Sequence, residues 1–202
     1  MAKLYFRYGA MNSGKTTALM QVAYNYKERG MRVLILKPAV DTKGQDSIDS
    51  RLGISCKVDK LVTPEMDVVE LVKQDSAEHG APACVLCDES QFFTPEQAEQ
   101  LFLVTVDLGI PVICYGLRAD FMMRGFPGST RLLELAHTIE ELKTICACGR
   151  KAICNGRKVN GEYVFEGAQV AIDTVDDVEY QSLCPQCWYR EYRAFLKRHK
   201  KD

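Results

Sequence analysis

The sequence predicts an α/β fold, a parallel sheet flanked by helices, with a small cysteine-bearing module at its C-terminal end. Three observations predict it. Short apolar strands alternate with amphipathic helices through residues 1–144, the pattern of a sheet built by right-handed crossovers. A glycine-bearing turn, Gly9 to Gly14, joins the first strand to the first helix. Beyond residue 145 the alternation stops and cysteines gather at 146, 148, 154, 184 and 187.

Taken in order, Leu4 to Tyr8 reads as a short apolar-aromatic strand. From Lys15 to Arg29, Leu19, Val22, Ala23 and Tyr26 recur at helical spacing, and Gly30 supplies a stop. RVLILKP is a continuous apolar run of the kind that lies inside a parallel sheet. Residues 39–60 are polar and rich in Gly, Asp and Ser, so a mobile loop is expected. A helix is expected from Pro64 to Glu78, followed by the strand ACVLCD. TPEQAEQLFLVTVDLG begins a further helix, with Thr94 as N-cap and Pro95 at the first helical position. PVICYG is another strand.

Composition narrows the class. Hydrophobic residues make up 47% of the 202-residue chain, enough for a sizeable core. The formal net charge is -1 and the pI about 6.3, so no global basic field recruits nucleic acid or an anionic membrane. The N-terminal MAKLYFRYGAMNSGKTT has no apolar stretch of signal-peptide length, and no run of about 18 apolar residues occurs. A soluble, cytoplasmic protein is expected. Nine cysteines without a secretory signal argue for metal ligation or plain burial rather than a disulfide framework.

The turn Gly9-Ala10-Met11-Asn12-Ser13-Gly14-Lys15-Thr16 fits G-x-x-x-x-G-K-[ST]. Its glycines let backbone N–H groups converge on phosphate oxygens at a helix N-terminus. Lys15 would bridge the β- and γ-phosphates of ATP, and the Thr16 hydroxyl would ligate Mg²⁺. Because this motif follows a strand and opens a helix, nucleotide binding is the expected role.

A second carboxylate is then needed at the end of a neighbouring strand, and Asp88 follows the apolar run Ala83 to Cys87. If the strand continues, Asp88 and Glu89 point to opposite faces. Asp88 would hold the metal, leaving Glu89 as a base toward whatever attacks the γ-phosphate. Cys84 and Cys87 stand three positions apart on the same strand, so their thiols lie on opposite faces and cannot share a metal. The Asp-Glu pair does not itself decide between activating water and deprotonating a substrate hydroxyl.

Cys146-Ala147-Cys148 and Cys184-Pro185-Gln186-Cys187 form two close pairs that a hairpin can bring together as a Cys₄ site for structural Zn²⁺. Cys154 is a spare thiol and a rival ligand. Acidic residues dominate the later part of the intervening segment, against a nucleic-acid-binding ribbon. Zinc would pin the base of a long loop over residues 155–180. Trp188 is expected to pack against the second clip, YREYRAFLKRHKK to form a solvated basic helix, and His79, His137 and His199 to have no metal or catalytic role. The organisation expected is a P-loop nucleotide-binding domain over 1–144, a zinc module with its loop over 145–192, and a basic tail over 193–202.

With LYFRYGAMNSGKTTALM, DESQFF, CYGLRADF, ELKTIC and EYQSLCPQC in place, nearly the whole chain resembles the type II thymidine kinases, the cytosolic zinc-containing class. Its C-x-C first pair is similar to that of the bacterial branch. The resemblance implies a P-loop parallel sheet flanked by helices, with a small C-terminal zinc-ribbon-like module carrying a lasso loop. It implies transfer of the γ-phosphate of ATP to the 5′-hydroxyl of thymidine or deoxyuridine, with Mg²⁺, in a homotetramer that binds neither nucleic acid nor membrane. It places the catalytic base on Glu89, ATP contacts on Gly9 to Thr16, Asp88 and Gln91, and magnesium on Thr16 and Asp88. The nucleoside pocket falls on Met11, Phe92, Leu117, Phe121, Phe126 and Tyr180, with Asp41 and Arg51 in a nearby loop. Arg118 or Arg124 would stabilise the transferring charge.

The sequence departs from the family pattern at Ser90, at Asn155, and at Asp173-Thr174, where the lasso commonly carries Gly-Gly. These bear on base selectivity rather than on phosphoryl transfer. The rival reading is a P-loop ATPase acting on nucleic acid, in which Glu89 would activate water.

Overall fold

Residues 1–39, 47–49, 53, 55–169 and 177–199 are described by the computed structural model of the chain. Asp41, Arg51, Asp173 and Thr174 lie outside them.

Six strands form one wholly parallel sheet: β1 (Leu4–Tyr8), β2 (Val33–Pro38), β5 (Lys60–Val62), β6 (Cys84–Cys87), β7 (Val112–Gly116) and β8 (Thr138–Glu141), in the order β5-β2-β6-β7-β1-β8. Helices α1 (Lys15–Lys27), α2 (Val68–His79), α3 (Pro95–Asp107) and α4 (Pro127–Leu135) cover its faces. One face packs Leu4, Phe6 and Cys87 against Val72, Leu101 and Leu132 of α2, α3 and α4. The other packs Leu86, Cys84 and Tyr115 against Leu19 and Met20 of α1. Cys84 and Cys87 therefore belong to opposite cores, as strand alternation requires. Burial, with a smaller push from Cys114 and against the hydrogen bond of Tyr26, raises the Cys84 thiol to about 12, which keeps it protonated. The α3 start follows local chemistry: Thr94 and Gln97 form a reciprocal capping box around Pro95.

Two local expectations change. The 39–60 segment holds an antiparallel pair, β3 (Ser47–Asp49) and β4 (Ser55–Lys57), which buries Ile48 under the α1 face. Ile48 and Val58 are buried there and Cys56, opposite Ile48, packs beside them, so a few apolar residues in a polar stretch anchor the pair. The second helix begins at Val68 rather than Pro64, because the Asp67 side chain accepts from the Glu70 N–H and caps it there.

After β8 the chain enters the hairpin β9 (Thr144–Ile145) and β10 (Lys151–Ala152). It then forms an antiparallel sheet in the order β12-β11-β13, from β11 (Cys154–Val159), β12 (Glu162–Val164) and β13 (Val178–Leu183). The last helix, α5 (Pro185–His199), runs unbroken past residue 192. It is not solvated all round: Trp188 and Phe195 are buried, and both stack edge-on against Phe165. The basic residues lie on the remaining faces, the amphipathic arrangement expected of a helix with one apolar stripe.

Candidate active site

Because all six strands run the same way, the turns after β1, β6 and β7 meet at one edge of the sheet, where open α/β sheets place their ligands. The first turn is Gly9 to Gly14. Gly9 is required by space: an added Cβ would stand 2.6 Å from the Leu142 carbonyl oxygen. Gly14 is required by conformation, since it caps α1 at φ 76 without a capping side chain. No capping side chain therefore takes up the first-turn N–H groups of α1, the condition under which a helix start can receive an anion.

Lys15 is 9% exposed, and its ammonium donates to the Ala10 carbonyl at 3.0 Å and to Ser13 Oγ at 3.4 Å. Burial pulls its pKa down, against the opposing fields of Glu89 and Asp88. Both carboxylates therefore sense the loop lysine, although β7 lies between β1 and β6. The expectation that a continuing strand holds Asp88 and Glu89 on opposite faces is corrected. β6 ends at Cys87, and Glu89 sits at φ 47, ψ 39 ahead of a 3-10 turn over Ser90–Phe92. A left-handed glutamate is strained on the order of 1 kcal/mol, a condition usual where a side chain must be aimed.

What aims it is Gln91. Its Nε2 donates to Glu89 Oε2 at 2.5 Å, while its Oε1 accepts from the Leu117 N–H at 3.0 Å. Gln91 is almost completely buried, and Gly116 leaves it room. The amide thus joins the β6 turn to the β7 turn.

Burial, then the Glu89 charge, pushes the Asp88 carboxyl up to about 7. Between 3.8 and about 7 the folded chain keeps a proton that the unfolded chain has lost. Its metal-free stability should therefore fall as pH rises through that window. Melting temperatures of metal-free protein against pH should show this slope. Asp88→Asn should flatten it and raise the neutral-pH melting point by several degrees, about what one or two kcal/mol produces. An unchanged slope would contradict the assignment.

The turn after β7 is folded around Asp120. Its Oδ1 accepts the Met122 and Arg124 N–H groups, each at 2.8 Å, and its Oδ2 accepts from Gln169 Nε2 at 3.0 Å. Within this turn Leu117, Phe121 and Phe126 are buried, and Phe92 meets Phe126 edge-on at 5.6 Å. The Arg157 guanidinium covers the Phe121 ring at 3.6 Å. Its Nη1 and Nη2 donate to the Ala168 and Glu166 carbonyls at 2.8 and 2.9 Å. Tyr180 pairs in register with Arg157 across β13 and β11. Arg118 lies with its guanidinium 5.6 Å from the centre of the Tyr8 ring, beside the loop entry, whereas Arg124 is exposed.

Cys146, Cys148, Cys184 and Cys187 bring their Sγ atoms within 4.8 Å of one another. Cys148 and Cys184 stand 3.6 Å apart. A tetrahedral zinc with bonds of about 2.3 Å needs sulfurs roughly 3.8 Å apart, so the donor set fits. The tight C-x-C pair is feasible because Gly149 turns at φ 83, and its N–H returns to the Cys146 carbonyl at 2.8 Å. Cys154 is outside the cluster: it approaches Met123 Sδ at 3.9 Å, and burial raises its thiol to about 11.

A P-loop lysine, two carboxylates at one sheet edge and a Cys₄ clip beside an aromatic turn have a counterpart among known proteins. The family model described as thymidine kinase matches residues 2–188. The chain belongs to the thymidine kinase family. Among relatives of this family member, a thymidine kinase of Ruegeria pomeroyi is 46% identical over 93% of this chain and 94% of its own. One of Legionella pneumophila (strain Paris) is 49% identical over 85% of this chain and 83% of its own. The solved structure of a DNA replication initiation factor overlays 70% of this chain and 40% of its own, with a TM-score of 0.37 at 15% identity. That likeness carries no argument about function.

Several residues that organise this family member's site carry little sequence signal. Asn155 stands out only as a departure from the family pattern, and Asp120, Arg157 and Gln169 meet partners outside their own elements. A buried arginine in a strand or an Asn between hydrophobic neighbours is visible in sequence only as an oddity.

Proposed function

We propose that the chain transfers the γ-phosphoryl group of ATP to the 5′-hydroxyl of thymidine, and of deoxyuridine. The observation that carries this reading is the convergence of Lys15, Asp88 and the Gln91-oriented Glu89 at one sheet edge, in a member of the thymidine kinase family. Backbone N–H groups of the Gly9–Thr16 loop other than those of Gly9 and Met11, which are engaged by the Gly116 carbonyl and Asn155 Oδ1, hold the phosphates together with Lys15, whose ammonium exchanges the Ala10 carbonyl for phosphate oxygens. Thr16 and Asp88 would hold magnesium, whose contribution when bound is to neutralise the β- and γ-oxygens. Glu89 accepts the 5′-hydroxyl proton, and Gln91 fixes the direction of that carboxylate. Arg118, whose guanidinium lies 5.6 Å from the centre of the Tyr8 ring just ahead of the loop, supplies positive charge to the transferring group. Met11, Phe92, Leu117, Phe121, Phe126 and Tyr180 form the nucleoside wall, and an apolar lining excludes water that would compete for the phosphoryl group. Zinc, when bound, cross-links the module that carries Arg157 and the lasso base. A homotetramer and a cytoplasmic location complete the reading; among the described residues no helix is long and apolar enough to cross a membrane.

Purified protein with ATP and Mg²⁺, offered a panel of nucleosides, tests the reading. ADP release should depend on thymidine or deoxyuridine and should not respond to purine nucleosides. Release stimulated by DNA and by no nucleoside would replace it with the nucleic-acid ATPase.

A further inference from the structure

The nucleotide loop is gripped from outside its own domain. The Met11 N–H donates to Asn155 Oδ1 at 2.8 Å, and the next carbonyl, of Asn12, accepts from Thr144 Oγ1 at 3.2 Å. Thr144 lies on β9 just before Cys146, and Asn155 follows Cys154 on β11. Both anchors thus belong to strands framed by the cysteine cluster. Between them they grip a turn in which Asn12 sits in the left-handed region at φ 62.

Asn155 is 5% exposed, a costly place for an amide unless both ends are satisfied. Its second end donates to the Ala119 carbonyl at 2.7 Å. One side chain therefore sets the spacing between the P-loop and the turn after β7. Asn155 and Arg157 alternate onto the same face of β11, so this face holds the P-loop, the β7 turn and the lasso base together. The bland alternative is an Asn retained only to satisfy buried backbone groups. It does not account for Thr144, which is not buried and has no such demand, gripping the adjacent residue.

We propose that Thr144 and Asn155 are positioning residues that hold the Met11–Asn12 segment in its nucleotide-binding shape, so that the C-terminal module sets affinity for ATP as well as covering the nucleoside. This rests on reading Gly9–Thr16 as the nucleotide loop. A loop released from its anchors populates the competent shape for only part of the time, and apparent affinity falls by that fraction.

Calorimetric titration of MgATP into the full-length, zinc-loaded protein without nucleoside tests this. Thr144→Val removes one hydroxyl from a partly exposed site with little threat to folding. Asn155→Ala removes both amide contacts. Each should raise the MgATP Kd roughly 3- to 10-fold, the worth of one net hydrogen bond. Thr144→Val should raise KM for ATP by the same factor and KM for thymidine, which meets the segment only through Met11, by clearly less, a split that general destabilisation would not produce. Lys15→Met serves as the control for the loop itself. If Lys15→Met abolishes binding while Thr144→Val and Asn155→Ala bind MgATP as tightly as wild type, the inference is overturned and the nucleotide-loop reading stands. Equal rises in both KM values for Thr144→Val would overturn it too. If Lys15→Met binds MgATP normally, the nucleotide-loop reading fails and the inference falls with it.

Discussion

Glu89→Gln should lower thymidine turnover on the order of 10²–10⁴-fold, the usual contribution of a positioned general base, while leaving the MgATP Kd within about twofold. The substitution keeps the size of the side chain and an oxygen that can accept from Gln91 Nε2, which lies 2.5 Å from Glu89 Oε2. It removes the negative charge and with it the ability to take a proton. Because Lys15, rather than Glu89, contacts the loop, ground-state nucleotide binding should be spared. Single-turnover rates with saturating thymidine, read beside calorimetric titration of MgATP, separate the two effects. A variant turning over near the wild-type rate would remove Glu89 from the role of base. Loss of MgATP binding together with turnover would instead make it part of the phosphate site.

Cys184→Ser should abolish zinc retention and raise KM for thymidine on the order of tenfold or more, the scale on which perturbed metal shells act. Cys184 is 1% exposed, lies within 4.8 Å of three other cysteine sulfurs, and accepts the Cys187 N–H at 3.5 Å. The same cluster packs Trp188, whose Nε1 donates to the Phe121 carbonyl at 2.9 Å. Loosening the clip therefore reaches the aromatic turn directly. Metal analysis of wild type and variant, with nucleoside kinetics, checks both halves. Wild-type protein containing no zinc would refute the metal assignment. A zinc-free variant with unchanged thymidine KM would refute the coupling to the nucleoside side.

Legibility in the sequence followed the range of the interactions. The P-loop was readable because its spacing, its strand before and its helix after are all local. The opposite facing of Cys84 and Cys87 was readable because strand alternation needs no tertiary information. The same rule failed two residues later, at Glu89, where the strand had already ended and a left-handed residue redirected the side chain. In the tail beyond residue 192 the single apolar stripe that seats Phe195 is outweighed in sequence by the surrounding Lys and Arg. In the 39–60 segment the few apolar residues that are buried, Ile48 and Val58, are likewise diluted by polar neighbours. For the site itself, Asn155 meets Met11 across 144 positions, and Trp188 meets Phe121 across 67. No periodicity reports such pairs.

The sequence by itself determined the groups available: a glycine-bearing turn of P-loop form at Gly9–Thr16, carboxylates at Asp88 and Glu89, and four thiols in two clips. Each is a matter of residue type and short spacing, which backbone geometry converts directly into local structure. Only the tertiary structure decided how those groups are aimed. Gln91 turns Glu89, Asp120 folds the β7 turn, and Thr144 and Asn155 hold Met11 and Asn12 from another module. The physical reason is that a buried hydrogen bond needs its partner at about 3 Å, and which distant residue arrives there is set by how the sheet and module pack.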